Sequence, residues 1–404
     1  MTRSRAFGLI TAADFIVRSG YQLGKTPVLP VFAMTLGAGE LFLGFIVSAS
    51  TLTGLVLKPM VGILSDRWGR RMWLLLGTSF FAGIPFLYWL VHTPEQLLAL
   101  RLVHGLATAI YGPVTLAYVS ELSSDNRAER LGWFSSARSA GYVIGPLAGG
   151  VMLVFVGPVA VFTLIGLLSA TAFVPVVLLP ETRRPTRESK PVLSNAVTAL
   201  RSCGRSSGVW LAGGLNAQVL VGKYAAKAFL PIYAMGLGQS LALVGLFFAL
   251  QESVTMLVNP IGGRLSDRFG YVPVTSGGMA VIGGGLLMLA AAEDGMSLMV
   301  TAVLMGAGQG LVFPAAVALV SSQVDERNLG LGMGLVGAMK NGAKVAGPIV
   351  AGVLIETFGY EPTFRLLGLV VLIGAAVVLL AQTSRPSLPK RARGTLASAE
   401  EQGG

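Results

Sequence analysis

Residues 62–71 read GILSDRWGRR, and residues 263–270 read GRLSDRFG, the same residue at six of eight positions after an offset of 201. An aspartate set among arginines between two apolar runs is a short charged connection, and its return at a fixed distance means the chain is built twice. Two other landmarks keep the same register. LPVFAMTLG (29–37) matches LPIYAMGLG (230–238) at six of nine positions with an offset of 201, and Gly145-Pro146 recurs as Gly347-Pro348 at 202. Three landmarks in step make chance similarity a poor explanation.

The solvent of this duplicated chain follows from composition. Of 404 residues, 53% are hydrophobic and only 12% charged, about half the charged fraction usual in a soluble protein, and the mean hydropathy is +0.71. The apolar residues arrive in runs long enough to cross a bilayer, near 7–34, 41–62, 72–91, 96–119, 131–155 and 158–180, then 209–235, 241–262, 272–292, 296–320, 330–354 and 362–382. The expected architecture is therefore an all-α polytopic membrane protein with twelve transmembrane helices in two six-helix repeats. Residues 1–180 form the first bundle and 209–382 the second. Residues 181–208 form a cytoplasmic linker with a short amphipathic helix near 194–201, and 383–404 a disordered tail. The charged start MTRSR followed by apolar residues resembles a signal peptide, but Asp14 and Arg18 interrupt the apolar part, so it reads as a retained first helix.

Basic residues sort by side. Connections after spans 1, 3, 9 and 11 carry Glu40, Glu95, Glu293, Asp294, Glu356 and Glu361, whereas the alternate connections carry DRWGRR, NRAER, RLSDRFG and DERN. Basic loops stay inside, which places both termini in the cytoplasm and the chain in the plasma membrane. The net charge of +11 is a topology signal rather than a nucleic-acid surface, since no basic face with interleaved aromatics is present. Two histidines and a single cysteine, Cys203, leave no pattern for a metal site, a disulfide framework or a thiol redox centre. No GxxxxGK[ST] phosphate loop is present for ATP use, and no cofactor or enzymatic activity is expected.

The GILSDRWGRR stretch resembles the GxLaDrxGrr signature between helices 2 and 3 of the major facilitator superfamily, and the twelve spans and the repeat extend the likeness over essentially the whole chain. The resemblance implies two parallel six-helix halves, with Gly62, Asp66, Arg67, Gly69 and Arg70, echoed by Asp267 and Arg268, forming a conformational latch. Asp66 is then held at the cytoplasmic start of helix 11 in the outward-open state. A second stretch, GYVIGPLAGG (141–150), preceded by Gly132, resembles the helix 5 signature of the drug:proton antiporter group. Gly141, Gly145 and Gly149 share one helix face, and small residues let another backbone come close. With Pro146 as a kink, Gly150 beside them, and Gly347 and Pro348 in the second half, they are expected to form the seam on which the halves rock. GKTPVLPVF (24–32) resembles the end of helix 1 in that group. RLVHGLATA (101–109) resembles its RxxxGxxxA helix 4 signature, implying a proton-transfer role for Arg101. On position alone, Arg101 equally reads as a side chain snorkelling to the outer surface.

Ionisable residues inside spans are functional candidates by default. Asp14 and Glu252 are the clear acids and the candidate proton carriers, with a static Asp14–Arg18 salt bridge as the plain alternative. Arg18, Arg138, Lys223, Lys227, Lys340 and Lys344 are candidate substrate-binding residues, with Lys25 and Lys58 nearby. Asp14/Arg18, Lys223/Lys227 and Lys340/Lys344 are i, i+4 pairs on one helix face. The cations outnumber the acids, which points to an anionic or zwitterionic substrate. The expected function is a proton-coupled antiporter exporting a small organic molecule by alternating access, with protons, substrate and the lipid bilayer as partners and a monomer as the working state. An organic-anion or phosphate-ester exchanger is the alternative, and a sensor that kept the fold but lost transport a third reading.

Overall fold

The computed structural model describes residues 2–122, 127–181, 207–323 and 329–383. The helix expected near 194–201 and the tail beyond 383 fall outside the described residues. Among these, the chain forms twelve helical segments, and the expected spans lie one to each. α1 runs Arg3–Leu23 and continues through Gly24–Val28 into Leu29–Thr35. α2 is Glu40–Trp68 and α3 Arg70–Leu90; α4 is Pro94–Leu122, α5 Arg127–Phe155 and α6 Pro158–Val177. α7 is Ser207–Gly236, α8 Leu241–Phe269 and α9 Tyr271–Ala290. α10 is Gly295–Gln323, α11 Leu329–Phe358 and α12 Tyr360–Thr383. Among the described residues, nine of these are long and apolar enough to cross a membrane. The other three, α1, α7 and α11, are the ones carrying the i, i+4 charge pairs. α1 is broken where Pro27 removes a helix donor and Thr26, as a residue before proline prefers, turns extended at φ −152°, ψ 120°.

The halves pack as repeats. α1 lies on α5 and α2 on α4; α7 lies on α11 and α8 on α10. Between the halves, the main contacts are α2 with α11 and α5 with α8. Each rests on a glycine facing a proline: Gly44 lies against the Pro348 carbonyl, and a methyl added at Gly245 would stand 2.6 Å from the Pro146 oxygen. Gly44 and Gly245 are themselves 201 residues apart. Gly150 faces Leu241 and Gly245 across the interface, and its counterpart Gly352 faces Glu40 and Leu41.

The seam therefore differs from the expected one. A methyl at Gly145 would lie 2.7 Å from Gln22 Cβ and 2.9 Å from Leu23 N, and one at Gly149 would lie 2.7 Å from the Leu23 oxygen. Gly141 likewise meets Ser19, and Gly347 meets Val221. These glycines join α5 to α1 and α11 to α7, inside one half each. The contact between halves belongs to Gly150, Gly352 and the Gly–Pro pairs, and it repeats in both halves.

The GILSDRWGRR connection is also tighter than its sequence suggests. α2 stays helical to Trp68, so Gly62 lies in the helix interior with open space beside it rather than in the turn. Only Gly69 turns, at φ 92°, ψ 149°, as Gly270 does at φ 92°, ψ 158°, a region essentially reserved for glycine. Arg70 then gathers the carboxylates: it bonds Glu121 at 3.0 Å, Ser65 at 2.6 Å, and Asp66 one turn back. Glu181 accepts the Arg70 and Arg71 backbone N–H groups at 2.7 and 3.3 Å, capping α3. The Asp66 side chain is 61% exposed, and Arg70 holds it. Arg67, Asp267 and Arg268 are exposed around the same turns.

A difference between the two glycines follows. Gly69→Ala is expected to cost about 1–3 kcal/mol of stability, whereas Gly62→Ala, inside a helix with room for a methyl, is expected to be neutral or slightly stabilising. Thermal unfolding of the purified variants in detergent distinguishes them. Equal melting of both with the parent would remove the requirement for glycine at position 69.

Candidate functional site

Two acid–base pairs face each other across the halves. On α1, Asp14 is buried and accepts two hydrogen bonds from Arg138 of α5, Nε to Oδ2 at 3.0 Å and Nη2 to Oδ1 at 2.9 Å. Arg18, one turn along α1, adds a longer contact at 3.5 Å. The Asp14–Arg18 bridge expected from spacing is thus the weaker of two. A fork of parallel N–H donors on one carboxylate is the geometry Arg provides and Lys does not. On α7, Lys223 donates to Glu252 of α8 at 2.8 Å.

Around these pairs lie two adjoining cavities of about 230 and 280 Å³, both bordered by Tyr142, Tyr224, Lys227 and Lys344. The first reaches Arg18, Lys25, Lys58 and Arg138; the second reaches Lys223, Glu252 and Lys340. Eight basic side chains thus border the two spaces, and the acids bonded to them are Asp14 and Glu252. Among the described residues, Lys25, Lys58, Lys227, Lys340 and Lys344 have no carboxylate within 4.0 Å. Neutral groups soften this surplus. Lys25 donates to Thr51 at 3.3 Å, and Lys227 reaches across the halves to Gln22 at 3.4 Å. Aromatic faces meet three of them: Lys340 lies 5.3 Å from the Phe313 ring centre, Lys344 5.8 Å from Tyr224 and Lys227 5.8 Å from Tyr142. Each such contact contributes about 0.5–2 kcal/mol, less than a full counter-ion.

Arg101 does not snorkel. It is 1% exposed and donates to Ser50 at 2.7 Å and to the Tyr21 and Tyr88 hydroxyls at 3.4 Å each. Tyr21 in turn shares a 2.8 Å hydrogen bond with Ser50 and borders the first cavity. His104 sits in this cluster, 3.5 Å from Arg101, with its Nε2 buried and unpartnered. The candidate residues therefore form two groups: the cavity pairs with their surplus lysines, and a hydroxyl-bound Arg101 behind Tyr21. The latch residues of positions 62–71 lie apart from both. Charge counting did not reveal Tyr142, Tyr224, Phe313, Gln22 or Ser50. Tyr142, Tyr224 and Gln22 had one signal in the sequence, a place within about a turn of an in-span charge; Phe313 lies in a span with no charge and had none.

The cavities open toward one end. Along α2, Gly44 and Ser48 touch the other half before Thr51 and Lys58 reach the cavity. Along α11, Lys340 and Lys344 come before Val345, Pro348 and Gly352, which make contact. α5 and α8 repeat the order, with Arg138 and Tyr142 before Pro146 and Gly150, and Gly245 before Glu252 and Asn259. In all four helices the cavity lies on the terminal side of the closure, the side of the 62–71 connection.

This arrangement, two parallel repeats closed over a polar cavity at their interface, is that of a secondary transporter. The family model of the Major Facilitator Superfamily matches residues 10–250 and 215–401, and the chain belongs to that superfamily. It is 30% identical over 340 residues to the class G tetracycline resistance protein of Vibrio anguillarum, covering 80% of this chain and 84% of the relative. It is 25% identical over 360 residues to the multi-drug resistance efflux pump PmrA of Streptococcus pneumoniae, covering 84% and 86%. The solved nucleoside transporter NupG superposes with a TM-score of 0.78 at 13% identity, over 94% of this chain and 100% of that one. The protein is a multi-pass membrane transporter, not an enzyme.

Removing one member of a buried pair costs more than removing both. Arg138→Gln leaves Asp14 with the 3.5 Å contact to Arg18 alone and is expected to lower stability by about 3 kcal/mol, while Asp14→Asn with Arg138→Gln recovers most of the loss. Melting temperatures of the three proteins report it. A double variant less stable than the single one would contradict a paired Asp14.

Proposed function

We propose that the protein is a proton-coupled antiporter that exports a small anionic or zwitterionic organic molecule by alternating access. The observation that carries this reading is the cavity itself: eight basic side chains against two acids, both acids already paired. Burying unpaired charge is costly, so a ligand with a negative group gains what the resting lysines lack. Lys227, Lys340 and Lys344 are the binding residues from the second half, with Arg18 from the first. The two relatives, an efflux pump and a resistance protein by name, support export.

Glu252 is the better proton carrier of the two acids. It borders the cavity and is held by one lysine, whereas Asp14 is 2% exposed at its side chain and lies between two guanidinium groups. Protonating Glu252 frees Lys223, and an anionic group leaving Lys223 frees it for Glu252 again. With both termini in the cytoplasm, as the basic loops argue, the conformation is inward-open. The plasma membrane is the expected site. A single chain carries the whole cavity, so the monomer suffices.

The test uses protein in liposomes with a pH-sensitive dye inside, an imposed pH gradient, and a panel of anionic, zwitterionic and cationic aromatic compounds. Proton movement is expected with compounds bearing a carboxylate. Glu252→Gln should abolish that movement while leaving isotope exchange of the same compound. Exchange in the parent protein without proton movement would replace antiport with the organic-anion exchanger, which the basic surplus also favours.

A further inference from the structure

The face on which the halves are closed carries a third cavity, about 540 Å³, between the start of α2, the end of α7 and the start of α12. Its chemistry is the reverse of the inner site. Tyr233 and Tyr360 stack along one wall with ring centres 5.8 Å apart and planes at 21°, and Phe364 braces Tyr233 edge-on at 5.6 Å. Glu40 and Glu361 supply carboxylates, and Ile232, Leu237 and Pro362 the apolar remainder. Among the described residues, no basic one lines it. Glu361 is paired with Arg365 at 3.3 Å. Glu40 has no basic partner among the described residues, and its carboxylate meets the Tyr360 hydroxyl, a neutral partner that leaves its charge unbalanced.

We propose that this cleft binds a small organic ammonium ion, free or carried as a lipid headgroup. A cation over a tyrosine face is drawn by the ring quadrupole, and the Glu40 carboxylate, which has no basic partner among the described residues, supplies the counter-charge that the tyrosines lack. The apolar wall accepts the substituents of the amine. Glu40 belongs to the first half, and every other residue of the cleft belongs to the second. Glu40 is also the residue whose backbone oxygen Gly352 approaches in the closure between α2 and α11. An occupant therefore joins the halves beside the point where they must part, and it acts as an inhibitor of opening on that face. This inference is independent of what the inner cavity transports.

Tetraethylammonium is the probe, titrated into purified protein in lipid-free detergent and followed by thermophoresis. Saturable binding is expected, weakened about fivefold or more by Glu40→Gln and by Tyr233→Leu, and unchanged by Lys227→Gln in the inner cavity. Glu40→Gln, near-isosteric at a half-buried position, keeps the test decisive if Tyr233→Leu does not fold. Repeating the titration in nanodiscs of phosphatidylethanolamine and of phosphatidylglycerol distinguishes the sources. Weaker binding in the former assigns the cleft to the lipid headgroup, and equal binding assigns it to a free amine. Absence of saturable binding, or binding indifferent to Glu40→Gln, overturns the proposal.

Discussion

Positive charge buried between two halves of a membrane protein is the constraint on which the rest depends. Moving an ion of this size out of water costs several kcal/mol even after relaxation. The fold meets that cost in three graded ways. Arg138 and Lys223 receive carboxylates, Arg101 receives three hydroxyls, and Lys25, Lys227, Lys340 and Lys344 receive a hydroxyl, an amide or an aromatic face. The last group is the least compensated and borders the cavity, where water and a ligand can finish the task.

The closure between halves determines which face these groups meet. Two glycine–proline contacts, Gly44 with Pro348 and Gly245 with Pro146, bring backbone against backbone where no side chain intervenes. Such a contact is either made or lost, because packed interfaces tolerate little intermediate separation. The prolines sit one to two turns beyond the cavity residues Lys344 and Tyr142 on the same helices, so bending at the closure and reshaping of the cavity share one element. The glycines along α5 and α11 that pack inside a half keep α1 and α7, the bearers of Asp14 and Lys223, rigidly attached to the moving helices.

Much of this was legible in the sequence. The repeat at an offset of 201, the twelve apolar runs and the alternation of basic loops specify the halves without coordinates, because each reflects the bilayer acting on every span alike. The in-span charges were equally visible, since they break an apolar pattern. Partnership was not. Spacing along one helix paired Asp14 with Arg18, but the shorter bonds come from Arg138, 124 residues away. The glycines of 141–150 announced close packing but not its partner, and only three-dimensional packing shows that most of them serve α1. Gly44 and Gly245 lie at the repeat offset and could have been noticed by comparing all glycines between halves. Gly62 misled because a signature glycine beside a turn was read as part of it, whereas helix propensity in a long apolar span carries α2 six residues further.

The central claim is that the basic surplus between the halves awaits a negative group. Calorimetric titration of the purified protein with benzoate and with benzylamine, equal in size and opposite in charge, tests it most directly, with Lys227→Gln and Lys344→Gln as variants. The account predicts that benzoate binds saturably, that each variant weakens it, and that the inner cavity takes no benzylamine. Binding of benzylamine that survives Glu40→Gln and is lost on Glu252→Gln, with none of benzoate, would contradict it.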